Sequence, residues 1–224
     1  MSSVRDLEPF PSPSGDSPEK FPATKFALAA TYLDAYVYEI ARAAKSAEGT
    51  AVDRAAELLL AAYARGARVF ACGNGGSAAI ANHLQCDHLK GVRTATDLAP
   101  RVISLSSSVE LLTAIANDTE YANVFVYQLE SQAEPGDVLL AISSSGRSPN
   151  IVRALAWARD HGVKTIALTG FDGGDAREIA DVPIHVEASN YGVIEDLHQA
   201  VMHALAQFIR QSRMTEDAIS AGVF

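Results

Sequence analysis

Apolar positions in residues 23–44 recur at intervals of three and four: Phe26, Ala29, Leu33, Tyr36, Val37 and Ile40. That spacing lays one apolar stripe along a helix. A second helical pattern follows at residues 53–65, and then the chain changes character. Short continuous apolar runs appear at residues 68–72, 101–105, 138–142, 164–168 and 182–185, and they read as buried strands. Between and after them, residues 77–89, 109–116, 121–132, 150–161, 175–180 and 193–211 carry helical patterns. Strands alternating with helices predict an α/β fold with a parallel sheet covered on both faces, which binds its ligands beyond the carboxyl ends of the strands. The first helix has no strand beside it in sequence. Its stripe packs either against another subunit or on its own domain.

The chain's 224 residues suit one core with appendages: a disordered polar leader at 1–22, a single domain at 23–212 and a C-terminal tail at 213–224. The net charge of −9 makes nucleic acid and acidic membrane surfaces poor partners, so any anion must be captured locally. Cys72 and Cys86 show none of the spacing of a disulfide framework, which fits a reducing compartment. The leader has no apolar core like that of a signal peptide, and no run is long and apolar enough to span a bilayer. A cytoplasmic protein is expected.

Two strand-to-helix loops are rich in hydrogen-bond donors. Gly73-Asn74-Gly75-Gly76-Ser77 lets the backbone turn tightly toward a ligand while the next helix offers unpaired N–H groups. Ser143-Ser144-Ser145-Gly146-Arg147-Ser148-Pro149-Asn150 places four hydroxyls around one glycine at a helix start. Each has a plain structural alternative, a glycine turn in the first case and a serine-rich helix cap in the second. Their pairing at strand ends favours an anion such as phosphate. A dinucleotide-binding reading fails, because Gly73, Gly75 and Gly76 give G-x-G-G without the third glycine of G-x-G-x-x-G.

Together with Leu168-Thr169-Gly170-Phe171-Asp172-Gly173-Gly174 and with Asn117 and Asp118 in A-I-A-N-D, these loops resemble a sugar isomerase (SIS) domain of the phosphoheptose isomerase type. The likeness runs over about residues 25–210. It implies a Rossmann-like three-layer sandwich with a five-stranded parallel sheet and an N-terminal helical extension, in a homotetramer with active sites near subunit boundaries. It also implies that Ser77, Ser143, Ser144, Ser145 and Ser148 hold a sugar's phosphate, with Asn74, Gly75 and Asn117 beside the substrate.

His83 and Asp87 stand four apart on one predicted helix, and Glu195 and His203 stand eight apart on another, so each pair shares a helix face that could grip a metal or flank a substrate. The resembled isomerases carry a histidine and, four residues on, a glutamate in the first helix. In the second they carry a glutamine and a histidine eight apart. They bind zinc through these groups and use the glutamate and last histidine as base and acid. Carried over, zinc ligation falls to His83, Asp87, Glu195 and His203, the base to Asp87 and the acid to His203, with Asp118 orienting hydroxyls. Counting back from Leu89 to Gly91 puts His88 at the glutamate position instead, so the base is Asp87 or His88. The reaction implied is aldose–ketose interconversion of sedoheptulose 7-phosphate or a related ketose phosphate. The other reading is a non-catalytic SIS protein that senses sugar phosphates or binds a partner such as a replication initiator.

Overall fold

The computed structural model describes residues 20–222. It contains five parallel strands, β1 (Arg68–Gly73), β2 (Arg101–Ser104), β3 (Val138–Ser143), β4 (Lys164–Thr169) and β5 (Val182–His185), in the order β2-β1-β3-β4-β5. Nine α-helices accompany them among the described residues: α1 (Ala29–Ala44), α2 (Gly49–Ala64), α3 (Gly76–Cys86), α4 (Val109–Asp118), α5 (Val126–Gln132), α6 (Pro149–Asp160), α7 (Gly174–Ile179), α8 (Tyr191–Gln211) and α9 (Glu216–Ala221).

Strand side chains alternate between two cores, as period-two geometry requires. Val69, Ala71, Leu140, Ile142, Ile166 and Leu168 face α2, α3 and α8. Phe70, Cys72, Leu139, Ala141 and Ala167 face the layer of α4 to α7. With both faces covered, the strands need no polar side, which is why they read as continuous apolar runs rather than alternating ones. A third cluster joins α1 to the first turns of α8 through Ala43, Val193, Ile194 and Leu197. Tyr36 reinforces that junction by donating its hydroxyl to Asp196 at 2.7 Å.

Several boundaries differ from those expected. The first helix begins at Ala29 rather than residue 23, and Phe21, Phe26, Tyr32 and Tyr36 form an aromatic cluster ahead of and along its first turns. The polar leader lies, up to residue 19, outside the described residues; Phe21 near its end packs on this cluster and accepts a hydrogen bond from Asn190. The helix expected at 121–132 is a 3-10 turn, Tyr121–Asn123, followed by α5. In the expected tail, Thr215 caps α9 by accepting from the Ala218 N–H. No helix of the described residues is long and apolar enough to cross a membrane.

Two histidines are fully buried in this fold, His88 and His198, and burial pulls the pKa of each down to about 4. An unfolded chain protonates histidine near 6.5, so their contribution to stability is complete above that pH and is lost as pH falls toward 4. Unfolding free energy, measured by denaturant titration, should therefore drop by roughly 1 kcal/mol per pH unit for each ring in this window. A flat profile there would contradict two rings buried neutral.

Candidate active site

The order of the sheet decides where a ligand can sit. From β1 the chain goes to one neighbour, β2, and then crosses to the other, β3, so β1 and β3 flank the switch point of the sheet. The two donor-rich loops leave the carboxyl ends of these two strands. They are joined by a reciprocal amide pair: Asn74 Nδ2 donates to Asn150 Oδ1 at 3.0 Å, and Asn150 Nδ2 donates to Asn74 Oδ1 at 2.9 Å. The Tyr121 hydroxyl also donates to Asn74 Oδ1, at 2.8 Å.

Between the loops lies a cavity of about 140 Å³, lined by Asn74, Ser77, Ser143, Ser144, Ser145, Ser148, Tyr191 and Glu195 together with Ile142. Gly75 turns the chain into α3 with φ of +54°, a conformation that favours glycine. At Gly146, also at positive φ, a β-carbon would lie 1.8 Å from the Gly173 carbonyl oxygen, so the third motif is explained by close packing of one loop on another. Phe171 in that motif adopts φ of +49°, and its ring packs edge-on to Tyr191 with centroids 4.8 Å apart.

Two of the serine hydroxyls are engaged within their own loop, Ser143 Oγ accepting from the Gly146 N–H at 3.2 Å and Ser145 Oγ from the Arg147 N–H at 3.3 Å, and the other two are not. Ser148 occupies the N-cap of α6 without a side-chain capping bond, and Ser144, buried, has no hydrogen-bond partner among the described residues. An unpaired buried hydroxyl is costly unless a ligand completes it. Such a cradle, with the N-termini of α3 and α6 directed at it, suits a phosphate. No cation lines it. Arg147, the nearest in sequence, is paired with Asp172.

The second centre lies further along α3 and α8. His83, Asp87 and His203 each offer a ligand atom within 4.8 Å of the others. Asp87 Oδ1 is 3.3 Å from His83 Nε2, and its Oδ2 is 3.5 Å from His203 Nε2. Two imidazoles and a carboxylate, partly open to solvent, form a donor set that fits zinc with a position left free. Sequence reasoning missed Gln199, whose amide Nε2 donates to His203 Nε2 at 2.9 Å and reaches His83 Nδ1 at 3.3 Å. Its place four residues before His203, on the same helix face, was the available signal.

Other candidates stand elsewhere. Glu195 does not join the His–Asp cluster: its carboxylate packs against Gly76 at the start of α3 and lines the serine cavity, where it is the only charged group among the described residues. His88 is turned away into the core, with Nδ1 2.5 Å from the Tyr63 hydroxyl, at the point where the helix winds into a π-helical turn, Asp87–Val92. That leaves Asp87, not His88, facing the groove. Asn117 and Asp118 end α4 on the surface, where the Asn117 amide donates to Asp118 at 2.9 Å; neither lines the cavity.

The SIS domain model matches residues 31–170. Phosphoheptose isomerase of Mycobacterium tuberculosis (strain ATCC 25177 / H37Ra) is 42% identical over 157 residues, covering 69% of this chain and 78% of that protein. The chain belongs to the phosphoheptose isomerase branch of the SIS domain family. Phosphoheptose isomerase of Colwellia psychrerythraea is 38% identical over 170 residues, covering 75% and 86% of the two chains. The solved structure of phosphoheptose isomerase GmhA from Neisseria gonorrhoeae superposes with a TM-score of 0.75 at 32% identity, covering 82% of this chain and all of that one. The SIS sheet of these proteins is thus the sheet described above.

Ser144→Ala removes one donor from the cradle and nothing from the fold. Calorimetric titration with inorganic phosphate should show affinity reduced roughly tenfold, as expected for a hydrogen bond to a charged group. The thermal midpoint should stay level or rise, since the hydroxyl lost is unpaired. Undiminished phosphate affinity would remove Ser144 from the cradle.

Proposed function

We propose that the protein is an aldose–ketose isomerase that interconverts sedoheptulose 7-phosphate and the heptose 7-phosphate. One observation carries this reading: the phosphate cradle and the His–Asp cluster open along the same helix at a separation that suits the substrate. Glu195 lines the cradle and His203 belongs to the cluster, and eight residues of helix rise about 12 Å. A seven-carbon chain with a terminal phosphate spans on the order of 10 Å when extended, given bonds of about 1.5 Å. With the phosphate in the serine cradle, carbons 1 and 2 reach the cluster.

In this reading the Asp87 carboxylate takes a proton from C1 of the ketose while His203 gives one to the C2 carbonyl oxygen, forming the enediol. The enediol collapses as His203 takes the proton from the oxygen on C1 and Asp87 returns one to C2. His83, Asp87 and His203 would hold a zinc ion, which when bound stabilises negative charge on the substrate oxygens. Asp87 is one methylene shorter than the glutamate expected of the family, and the closeness of its two oxygens to His83 and His203 is what supports its use. Asp118 and Asn117, on the surface of one subunit, keep their roles, Asp118 orienting hydroxyls and Asn117 beside the substrate, only if a neighbouring subunit's cavity lies against them. The convergence of His83, Asp87 and His203 favours an enzyme over a sensing or partner-binding protein, which has no need of them.

A homotetramer completes the proposal. It is supported by exposed apolar side chains on α1, Leu33 and Val37, and at Val109, Tyr121 and Tyr127 on the opposite layer. The free thiols Cys72 and Cys86 suit the cytoplasm.

Two outcomes test these statements. With sedoheptulose 7-phosphate and zinc, the wild type should form the aldose phosphate, while Asp87→Asn and His203→Ala should each turn over at least about 100-fold more slowly with phosphate affinity retained. A wild type that binds phosphate yet produces no aldose would refute the isomerase reading. In light scattering, Leu33→Asp/Val37→Asp should shift the wild-type tetramer to a smaller species; an unchanged mass would place the interface elsewhere.

A further inference from the structure

The helix that begins as α3 changes its winding beside the reactive cluster. The Asp87 N–H still bonds to the His83 carbonyl in α-helical register, whereas the next turn, Asp87–Val92, is π-helical. Such turns widen a helix locally; they are rare and occur frequently at functional sites. The cause is visible on the buried side. Leu84, His88 and Val92 are all buried, a spacing of four used twice. In an unbroken α-helix each step of four overshoots a full turn by about 40°, so the third side chain would swing about 80° away from the first. Bonding from i to i+5 winds more residues into the turn and brings Val92 back to the core. Asp87, on the groove side of the same turn, is thereby held toward His83 and His203.

His88 anchors this turn. Its Nδ1 meets the Tyr63 hydroxyl of α2 at 2.5 Å, and both residues are buried. Its Nε2 has no partner among the described residues, so the Tyr63 bond is what its ring has gained for leaving water. If that bond is lost, the reason for keeping His88 inward at this register goes with it, and the extra residue of the wide turn can shift along the helix.

We propose that Tyr63 and His88 are positioning residues: their buried hydrogen bond pins the π-helical turn, and the turn holds the Asp87 carboxylate between His83 and His203. The inference rests on the reading of Asp87 as base and zinc ligand. A purely structural bond would affect stability alone. A positioning bond affects the two tasks of Asp87 even where stability is restored.

The experiment compares the full-length wild type with Tyr63→Phe, which loses one oxygen, and with Tyr63→Phe/His88→Leu. The double variant removes both partners and leaves no unpaired donor or acceptor, so its stability should recover. Three quantities are measured: kcat and KM on sedoheptulose 7-phosphate, zinc affinity of the metal-free protein by titration, and the thermal midpoint. Both variants should show kcat and zinc affinity lowered by about 10- to 100-fold, the range for groups that orient a metal ligand from behind. KM should be unchanged, because the serine cradle is untouched. Wild-type kcat and zinc affinity in Tyr63→Phe overturn the proposal, and so does their recovery in the double variant in step with the thermal midpoint. An inactive wild type whose zinc affinity still falls in Tyr63→Phe overturns the isomerase reading and supports the positioning role. An active wild type with unchanged zinc affinity in Tyr63→Phe does the reverse.

Discussion

Side-by-side placement of β1 and β3 is the constraint on which the rest of the molecule depends. Parallel strands deliver their chains to the same edge of the sheet, and at this pair the connections depart to opposite faces, α3 to one and α6 to the other. Two helix N-termini and two donor-rich loops are therefore brought to one crevice, and the reciprocal Asn74–Asn150 amide pair locks them there. From that edge α3 must run back along the sheet to reach β2. Packed beside α8, it makes a groove with a phosphate cradle at one end and the His83, Asp87 and His203 cluster further along. The distance between the serine-lined cavity and the His–Asp cluster is thus a helix length, set by backbone geometry rather than by loops.

An acidic chain needs such local capture. Serine side chains dominate the lining of the cradle, and Arg147 is already paired with Asp172. Glu195, where the resembled isomerases carry a neutral glutamine, adds a negative charge beside the cavity proposed to take a phosphate. The helix N-termini and serine donors must outweigh it, which makes the unpaired Ser144 hydroxyl more consequential than its small size suggests. At the other end of the groove, Asp87 gives up the reach of a longer carboxylate, and the π-helical turn and the Gln199 amide define how the remaining side chains meet.

The strands were legible because both faces of the sheet are covered, so burial was written into continuous apolar runs. The crevice was legible because glycines and hydroxyls clustered where those runs stopped. Membership in the SIS family followed from three such loops in order, and the match over residues 31–170 agrees. Less was legible where the decision turned on helix phase. Counting from Gly73 pointed to Asp87, and counting back from Leu89 to Gly91 pointed to His88; the turn that lies between these two reference points is π-helical. A sequence records spacing and not winding, so it was the folded core that showed Leu84, His88 and Val92 on one side and Asp87 on the other.

The same limit applies to Glu195 and Gln199. Both lie on the groove face of α8 at spacings that suit His203, and periodicity alone ranks them equally with it. Tertiary contact separates them: Glu195 meets the start of α3 and enters the cradle, while Gln199 meets His83. By itself, then, the sequence determined the layers of the fold, the strand ends and the chemistry available there, since these follow from local patterns of burial and backbone freedom. Which side chains face one another across the groove was decided only when α8 packed on α3, because that choice depends on the phase and depth of two helices whose residues are more than a hundred positions apart.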